Sequence, residues 1–239
     1  MGGYIILKTI YALAFYVLIV CSASYSFGKQ DTYGYLVNAQ SLYGYTGNIL
    51  TPSPYTVNER EFTFGLHKFY IGFNYGFNSQ CEAGVAVDLK EYRDFTIDLF
   101  KQKMSEMAIH TKYHLLRRQH PFNQPLDFSF GIYYKQHQEY YLVVARDFSN
   151  LANAVLQTGM NYSNSLMNKE EWELNQFLCV GYPTKHSYFL LDWNSSTNES
   201  NFGWRVLLSP DIKIDLFIVN IGNIKTLFDN FVFGVTLVT

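Results

Sequence analysis

The sequence predicts an all-β protein: a transmembrane antiparallel β-barrel of about 12 strands (range about 10–14), preceded by a signal peptide. Three observations lead to this prediction. Apolar and polar residues alternate over many short segments beyond residue 60. Aromatic residues make up 18% of the chain and charged residues only 16%, so the chain has too little charge for an ordinary soluble surface. The mean hydropathy of -0.07 argues against a bundle of transmembrane helices and fits strands with one apolar and one polar face.

The first 24 residues have the order of a secretory signal peptide. One early cation, Lys8, precedes an apolar run from Ile10 to Val20 and then three small residues. An uncleaved membrane helix is the alternative, although the run is shorter than the ~20 residues needed to span a bilayer. Cys21 also suggests a lipoprotein signal, although the preceding residue of such signals is normally small and Val20 is not. We therefore predict that residues 1–24 are a signal peptide that exports the chain.

Residues 25–59 are predicted to be a linker, because they are polar, rich in Gly and Tyr, and lack a sustained period. Within it lies a motif-like segment, whose main residues are Gly44, Gly47, Thr51, Pro52, Ser53 and Pro54. The two prolines remove backbone donors and favour extended geometry before them, so the segment cannot be a central strand. It would suit a plug in the barrel lumen or a staple at the barrel entrance, and a plain linker is the alternative.

Residues 60–239 are predicted to form the barrel. The predicted strands are 61–68, 70–77, 82–90, 105–116, 126–136, 139–147, 154–162, 174–182, 186–194, 201–209, 212–219 and 230–238. Short connections such as 78–80, 183–185 and 210–211 should then lie on the periplasmic side if the N-terminus does. The longer connections 91–104, 163–173 and 220–229 would lie on the outer side. This distribution predicts an even-stranded, closed barrel.

Charged residues on the polar face are predicted to form a lumen network. Its members are Glu61, His67, Asp88, Glu106, His110, Lys112, Asp127, Arg146 and Arg205. The lumen of a barrel of about twelve strands is narrow, and unpaired buried charges are costly, so we expect these groups to pair with one another. A metal site is not predicted: His110 and His114 lie four residues apart on one strand, roughly 13 Å, which is too far to share one ion. No cofactor is predicted either.

Several function classes have no support in the sequence. The net charge of -2 gives no electrostatic reason to expect nucleic acid as a partner. An outer-membrane enzyme acting on lipid or glycan would need a serine, a histidine and an acid converging at one rim, and the spacing of Ser105, His114 and Ser129 does not indicate such a triad. We therefore predict a non-enzymatic protein. That enzyme and a soluble secreted β-barrel binding protein remain as alternatives.

Short motifs give the chain a resemblance to a known family. The matching positions are Gly47, Thr51, Pro52, Ser53, Phe64, Gly65, His67, Asn74, Tyr75, Gly76, Glu82 and Gly84. In this order they resemble the YjbH-like outer-membrane proteins, which are linked to exopolysaccharide production. The sequence departs from the family at Pro54, where a small residue is usual. The resemblance implies an outer-membrane barrel in a Gram-negative-type envelope that assists exopolysaccharide export or cell-surface assembly. Its implied partners are outer-membrane lipid, polysaccharide and export machinery.

Overall fold

A computed structural model of the chain describes residues 32–68, 70–88, 107–116, 126–135, 137–148, 154–165, 172–224 and 230–239. Its main element is a closed barrel of twelve antiparallel strands. Each strand pairs with its neighbours in sequence, and the last strand pairs with the first. The predicted fold class and strand number are therefore confirmed.

The strands follow the predicted segments closely, usually within two residues at each end. They are β1 (Phe62–His67), β2 (Tyr70–Asn78), β3 (Cys81–Asp88), β4 (Met107–Leu116), β5 (Leu126–Tyr134), β6 (His137–Asp147), β7 (Val155–Ser165), β8 (Trp172–Pro183), β9 (Ser187–Asn194), β10 (Glu199–Ser209), β11 (Ile212–Ile218) and β12 (Phe231–Val238). A short helix, α1 (Thr32–Val37), precedes the barrel, and a single 3-10 turn (Ile221–Asn223) follows β11.

The two ends of the barrel differ less in connection length than the sequence suggested. We call the end where β1 begins and β12 ends the proximal end, and the other the distal end. The short turns after β2 and β10 lie at the proximal end, and the long connection 89–106 lies at the distal end, as predicted. Short connections nevertheless join β1 to β2 and β5 to β6 at the distal end, and the nine-residue connection 117–125 lies at the proximal end.

The strands present an apolar outer face and a polar inner face. On β1, the outward Phe62, Phe64 and Leu66 are 41–43% exposed, whereas the inward Thr63 and His67 are buried. This polarity is the reverse of that of a soluble barrel, which places its apolar side chains inside.

Aromatic side chains cluster on the outer face near both ends. At the proximal end Phe62, Tyr75 and Phe77 are in contact, with ring centroids 4.5 and 4.9 Å apart. Another outward trio occupies the distal end, where Trp172 stacks between Tyr162 and Tyr140 at 4.5 and 6.0 Å. Aromatic clusters near both ends of an apolar outer face are typical of strands that cross a bilayer.

The core of the protein lies inside the barrel. One apolar cluster joins Leu36, Ile49 and Leu50 to inward side chains of the strands, including Phe217, and a second centres on Tyr45. Among the described residues, no helix is long and apolar enough to cross a membrane. The predicted signal peptide, Cys21 and Glu106 lie outside the described residues.

Candidate functional site

The lumen is occupied by the chain's own N-terminal segment. We call residues 36–57 the plug; nearly all of them are buried, including Leu36, Ile49 and Val57 at 0% exposure. The plug is attached to the barrel wall by hydrogen bonds with side chains of six strands, which are β1, β3, β4, β7, β9 and β10.

The plug is a compact series of turns after α1. Its backbone amides satisfy part of its own hydrogen bonding: Ser41 donates to Tyr45, Leu42 to Ile49 and Asn48 to Thr51, each at 2.9 Å. Gly44 has a φ of +92°, and a Cβ there would lie 2.3 Å from the Cβ of Ala86 on β3. Glycine is therefore required at this point both by the backbone conformation and by the close approach to the wall.

Arg205 holds the plug from β10. Its fully buried guanidinium donates to the carbonyl oxygens of four plug residues at 3.0–3.4 Å; they are Leu36, Gln40, Gly47 and Asn48. Its Nε donates to Asp215 Oδ1 on β11 at 2.6 Å, and the other oxygen of Asp215 lies 2.8 Å from Nε2 of His67. We call these three side chains the Arg205 cluster. All five N–H donors of the arginine form hydrogen bonds. The buried positive charge is therefore stabilised both by an ion pair with Asp215 and by the carbonyl oxygens of the plug.

Glu82 and Lys112 hold the plug from β3 and β4. Glu82 accepts from the Thr46 hydroxyl at 2.7 Å and from the Val57 amide at 2.8 Å. Lys112 Nζ lies 3.2 Å from Glu82 Oε1 and donates to the carbonyls of Thr46 and Tyr55 at 2.6 and 2.7 Å. His110 Nε2 lies 3.8 Å from the same carboxylate. We call Glu82, Lys112 and His110 the Glu82 cluster.

A third attachment uses a carboxylate with neutral donors. Asp192 Oδ2, on β9, accepts from the backbone amides of Ile49 and Leu50 at 3.1 and 2.8 Å and from the Thr51 hydroxyl at 3.2 Å. Its other oxygen accepts from Asn201 Nδ2 at 2.6 Å. Successive backbone amides that point at one anion form an anion-binding nest. Here the amides of Ile49 and Leu50 in the plug form the nest, and the carboxylate of Asp192 from the barrel wall is the anion.

The structure brings together the family-motif residues Gly44, Gly47, Thr51, Pro52, Ser53 and Pro54, all of them buried in the plug. Of the predicted lumen network, His67, His110, Lys112, Asp127 and Arg205 are buried inside the barrel. Two more are half-buried near its ends: Glu61 accepts from Asn58 at 2.8 Å, and Asp88 pairs with Lys135 at 3.3 Å.

The placement of Arg146 in the lumen was wrong. This residue is exposed and lies on the outer face, because the inward positions of β6 are Tyr141, Val143 and Ala145. Its guanidinium lies over the ring of Phe148, 5.0 Å from the centroid. Tyr141 and Val143 pack in the Tyr45 cluster, so both faces of this strand are apolar and no alternation reveals which face is inward.

Sequence reasoning included Glu82 only as a motif match and missed its role in the lumen. Glu82 lies an even number of residues from Asp88 on β3, so both side chains point to the same face of the strand. The lumen position predicted for Asp88 would therefore have placed Glu82 in the lumen as well. The plug's own partner groups, such as the Thr46 hydroxyl, carry no periodic signal and could not have been found in that way.

The histidines of the lumen lie next to carboxylates rather than in a nucleophilic triad. His67 pairs with Asp215, His110 lies near Glu82, and His114 Nε2 lies 3.3 Å from Asp127. Ser129 faces His114 across the β4–β5 ladder, but its hydroxyl has no hydrogen-bond partner among the described residues. This geometry does not supply the activated serine that the enzyme alternative requires. Within the described part of the chain, no group of three or more His, Cys, Asp or Glu side chains is placed to hold a metal ion.

A cavity of about 510 Å³ lies above the plug at the distal end, and we call it the vestibule. Plug residues, including Tyr43 and Tyr45, contribute to its lining from below. The wall contributes Tyr133, Lys135, Glu139, Asn161, Ser163, Asn164, Glu173, Asn175, Phe177, Asn194, Ser196 and Thr197. Burial, with a smaller contribution from the carboxylate of Glu139, raises the pKa of Tyr43 to about 12, and burial likewise raises the pKa of Tyr45. Both phenols therefore stay neutral at physiological pH.

Comparison with known proteins gives structural neighbours only. No family model and no curated protein sequence matches the chain. Among solved structures, the chain is similar to a KdgM porin, with 9% identity, a TM-score of 0.44, and coverage of 74% of this chain and 96% of that one. A KdgM porin in complex with disordered oligogalacturonate gives 8% identity and a TM-score of 0.41, covering 74% and 95%. An anion-selective porin from Comamonas acidovorans gives 12% identity and a TM-score of 0.30, covering 71% and 57%.

Proposed function

We propose that this chain is a non-enzymatic outer-membrane β-barrel protein that assists exopolysaccharide export or cell-surface assembly. The observation that carries the proposal is the inverted polarity of the barrel. An apolar outer face with aromatic clusters near both ends fits lipid, while much of the inner face is polar and charged. The alternative of a soluble secreted protein would leave this apolar face in water, which favours aggregation.

The polysaccharide part of the proposal depends on the distal end and on the family resemblance. The vestibule is lined by amide, hydroxyl and tyrosine side chains, a mixture that suits hydroxyl-rich ligands. The residues that resemble the YjbH-like family lie in the plug and in β1, β2 and β3, and the plug hydrogen-bonds to Glu82 of that set. We therefore include membership of that family in the proposal.

Fractionation of cells that express the full chain tests the membrane location. We expect the protein in the outer-membrane fraction, and we expect the unboiled sample to migrate faster in a denaturing gel than the boiled one. A chain that stays monomeric in the soluble fraction without detergent would overturn the proposal.

Deletion of the gene in its native host tests the polysaccharide role. We expect less released or surface-bound polysaccharide, restored by the wild-type gene, with unchanged amounts of other outer-membrane proteins as the control. Unchanged polysaccharide in the deletion strain would remove the export role and leave the barrel assignment in place.

A further inference from the structure

We propose that the vestibule is a binding site for an oligosaccharide without acidic groups, with sugar rings lying against the tyrosines of the plug. This inference rests on the proposed function and specifies its ligand. It also assigns the plug a second role, because the segment that fills the lumen then forms part of the binding surface.

One amide oxygen in the cavity wall accepts no hydrogen bond from the described residues. Asn161 is 7% exposed and lines the vestibule, and its Nδ2 donates to Glu139 at 3.0 Å. Its Oδ1, however, is buried and accepts no hydrogen bond from the described residues; the same holds for Oδ1 of Asn164 nearby. A buried acceptor without a donor costs free energy, and a ligand hydroxyl would supply that donor.

The aromatic part of the site comes from the plug and the wall together. The rings of Tyr43, Tyr45 and Tyr133 form a nearly equilateral triangle: the centroid of Tyr43 is 6.1 Å from each of the other two, which are 5.7 Å apart. Tyr45 and Tyr133 are almost fully buried, whereas Tyr43 is only half-buried and lines the cavity. Tyr43 therefore presents an amphipathic aromatic surface to a ligand, supported from behind by two fixed rings.

The carboxylates among the described lining residues disfavour acidic glycans. Glu139 and Glu173 both line it, and the ammonium group of Lys135 is paired with Asp88 at 3.3 Å and lies 5.8 Å above the ring of Tyr70. Like charges brought together in a partly desolvated site reduce affinity, so uronic acid chains should bind poorly and neutral or amino sugars well. The volume of about 510 Å³ falls within the ~300–1,000 Å³ range of small-molecule sites.

Titration calorimetry on the full chain, folded in detergent, tests the proposal with three probes. These are a neutral gluco-oligosaccharide, a chito-oligosaccharide with free amino groups, and oligogalacturonate of similar length. We expect one or both of the first two to bind at least about tenfold more tightly than the third. No binding of any probe, or oligogalacturonate binding as tightly as the others, would overturn the proposal.

Two variants locate the binding. Asn161→Ala should weaken the preferred probe by about tenfold, the scale of one buried hydrogen bond. Glu139→Gln should reduce the difference in affinity between the preferred probe and oligogalacturonate. Glu59→Gln makes the same charge change on an exposed residue at the proximal end and should leave that difference unchanged. If Asn161→Ala lacks the fast-migrating unboiled form, that variant has not folded, and the comparison of Glu139→Gln with Glu59→Gln tests the site instead. The site is contradicted if Glu139→Gln and Glu59→Gln change the probe affinities equally. It is also contradicted if a folded Asn161→Ala binds the preferred probe as tightly as the wild type.

The failure of this inference can be told apart from failure of the proposed function. A protein that partitions to the outer membrane, is heat-modifiable and binds none of the probes overturns the vestibule site alone. A protein that does not enter the membrane overturns the proposed function, whatever it binds.

Discussion

The Arg205 cluster and the Glu82 cluster attach the same plug to different walls of the barrel, with different chemistry. Arg205 reaches the plug through carbonyl oxygens only, while its counter-charge, Asp215, stays with the wall. In the Glu82 cluster both charges reach the plug, and one contact is to a side chain, the hydroxyl of Thr46. Arg205 thus recognises the path of the plug backbone, and the Glu82 cluster also recognises its sequence.

This difference has a consequence for evolution of the segment. Substitutions in the plug that keep its backbone path leave the contacts of Arg205 intact, since every residue has a carbonyl oxygen. Substitution of Thr46 removes a charge-assisted hydrogen bond to Glu82. The comparison leads to three predictions, in order of decreasing effect.

Arg205→Met is expected to have the largest effect. It removes four hydrogen bonds to the plug and the cation that faces Asp215, and the loss of one partner of a buried pair typically costs about 3–5 kcal/mol. The free energy of unfolding, followed by loss of the fast-migrating unboiled form in a denaturant series, measures this cost. Arg146→Met, on the outer face near the proximal end, is the matched control and should change stability by less than about 1 kcal/mol. Equal effects of the two substitutions would show that Arg205 does not anchor the plug.

Glu82→Gln and Lys112→Met should each destabilise the barrel by about 3 kcal/mol, the lower end of the range for a broken buried pair, because each leaves the other buried charge without its partner. The double variant should cost less than the sum, with a coupling of roughly 0.5–3 kcal/mol in the cycle. The same denaturant series measures all three variants. Strict additivity would mean that the two charges act on the plug independently.

The smallest effect is expected from pH, at the face of the plug that lines the vestibule. Folding raises the pKa of Tyr43 from 10.0 to about 12, so the folded state holds this proton more tightly. The resulting stabilisation is complete below pH 10 and is lost as the pH rises through about 12. Alkaline titration followed by tyrosinate absorbance should show this step in the wild type, and Tyr43→Phe should lack it. A Tyr43 that titrates near 10 in the folded protein would contradict this prediction.

The barrel could be predicted from the sequence because lipid and lumen impose a period of two on each strand. On β1, β4 and β5 the inward and outward residues separate cleanly, and there the residues predicted for the lumen, such as His67, His110 and Asp127, are buried inside. On β6 the signal fails, since the inward Tyr141 and Val143 pack against the aromatic side of the plug and are as apolar as the outward residues. Arg146 was therefore assigned to the wrong face.

The plug had no comparable signal. Its residues become buried through contacts with distant parts of the chain, such as the bond from Asn48 to Gln157, 109 residues away. The two prolines excluded a central strand from this segment, but they fit a plug and a linker equally well. Only tertiary contacts distinguish these alternatives, and a single sequence does not reveal them.

The separation in sequence between the plug and its anchors also sets an order of assembly. The plug precedes the strands that anchor it, and its bonds to Asp192 and Arg205 join residues 141–169 positions apart. Contacts of such long range form slowly, because a large loop must close before they contribute. The plug therefore reaches its final place only when β9 and β10, which carry these anchors, have arrived. Closure of the barrel by pairing of β1 with β12 then encloses it.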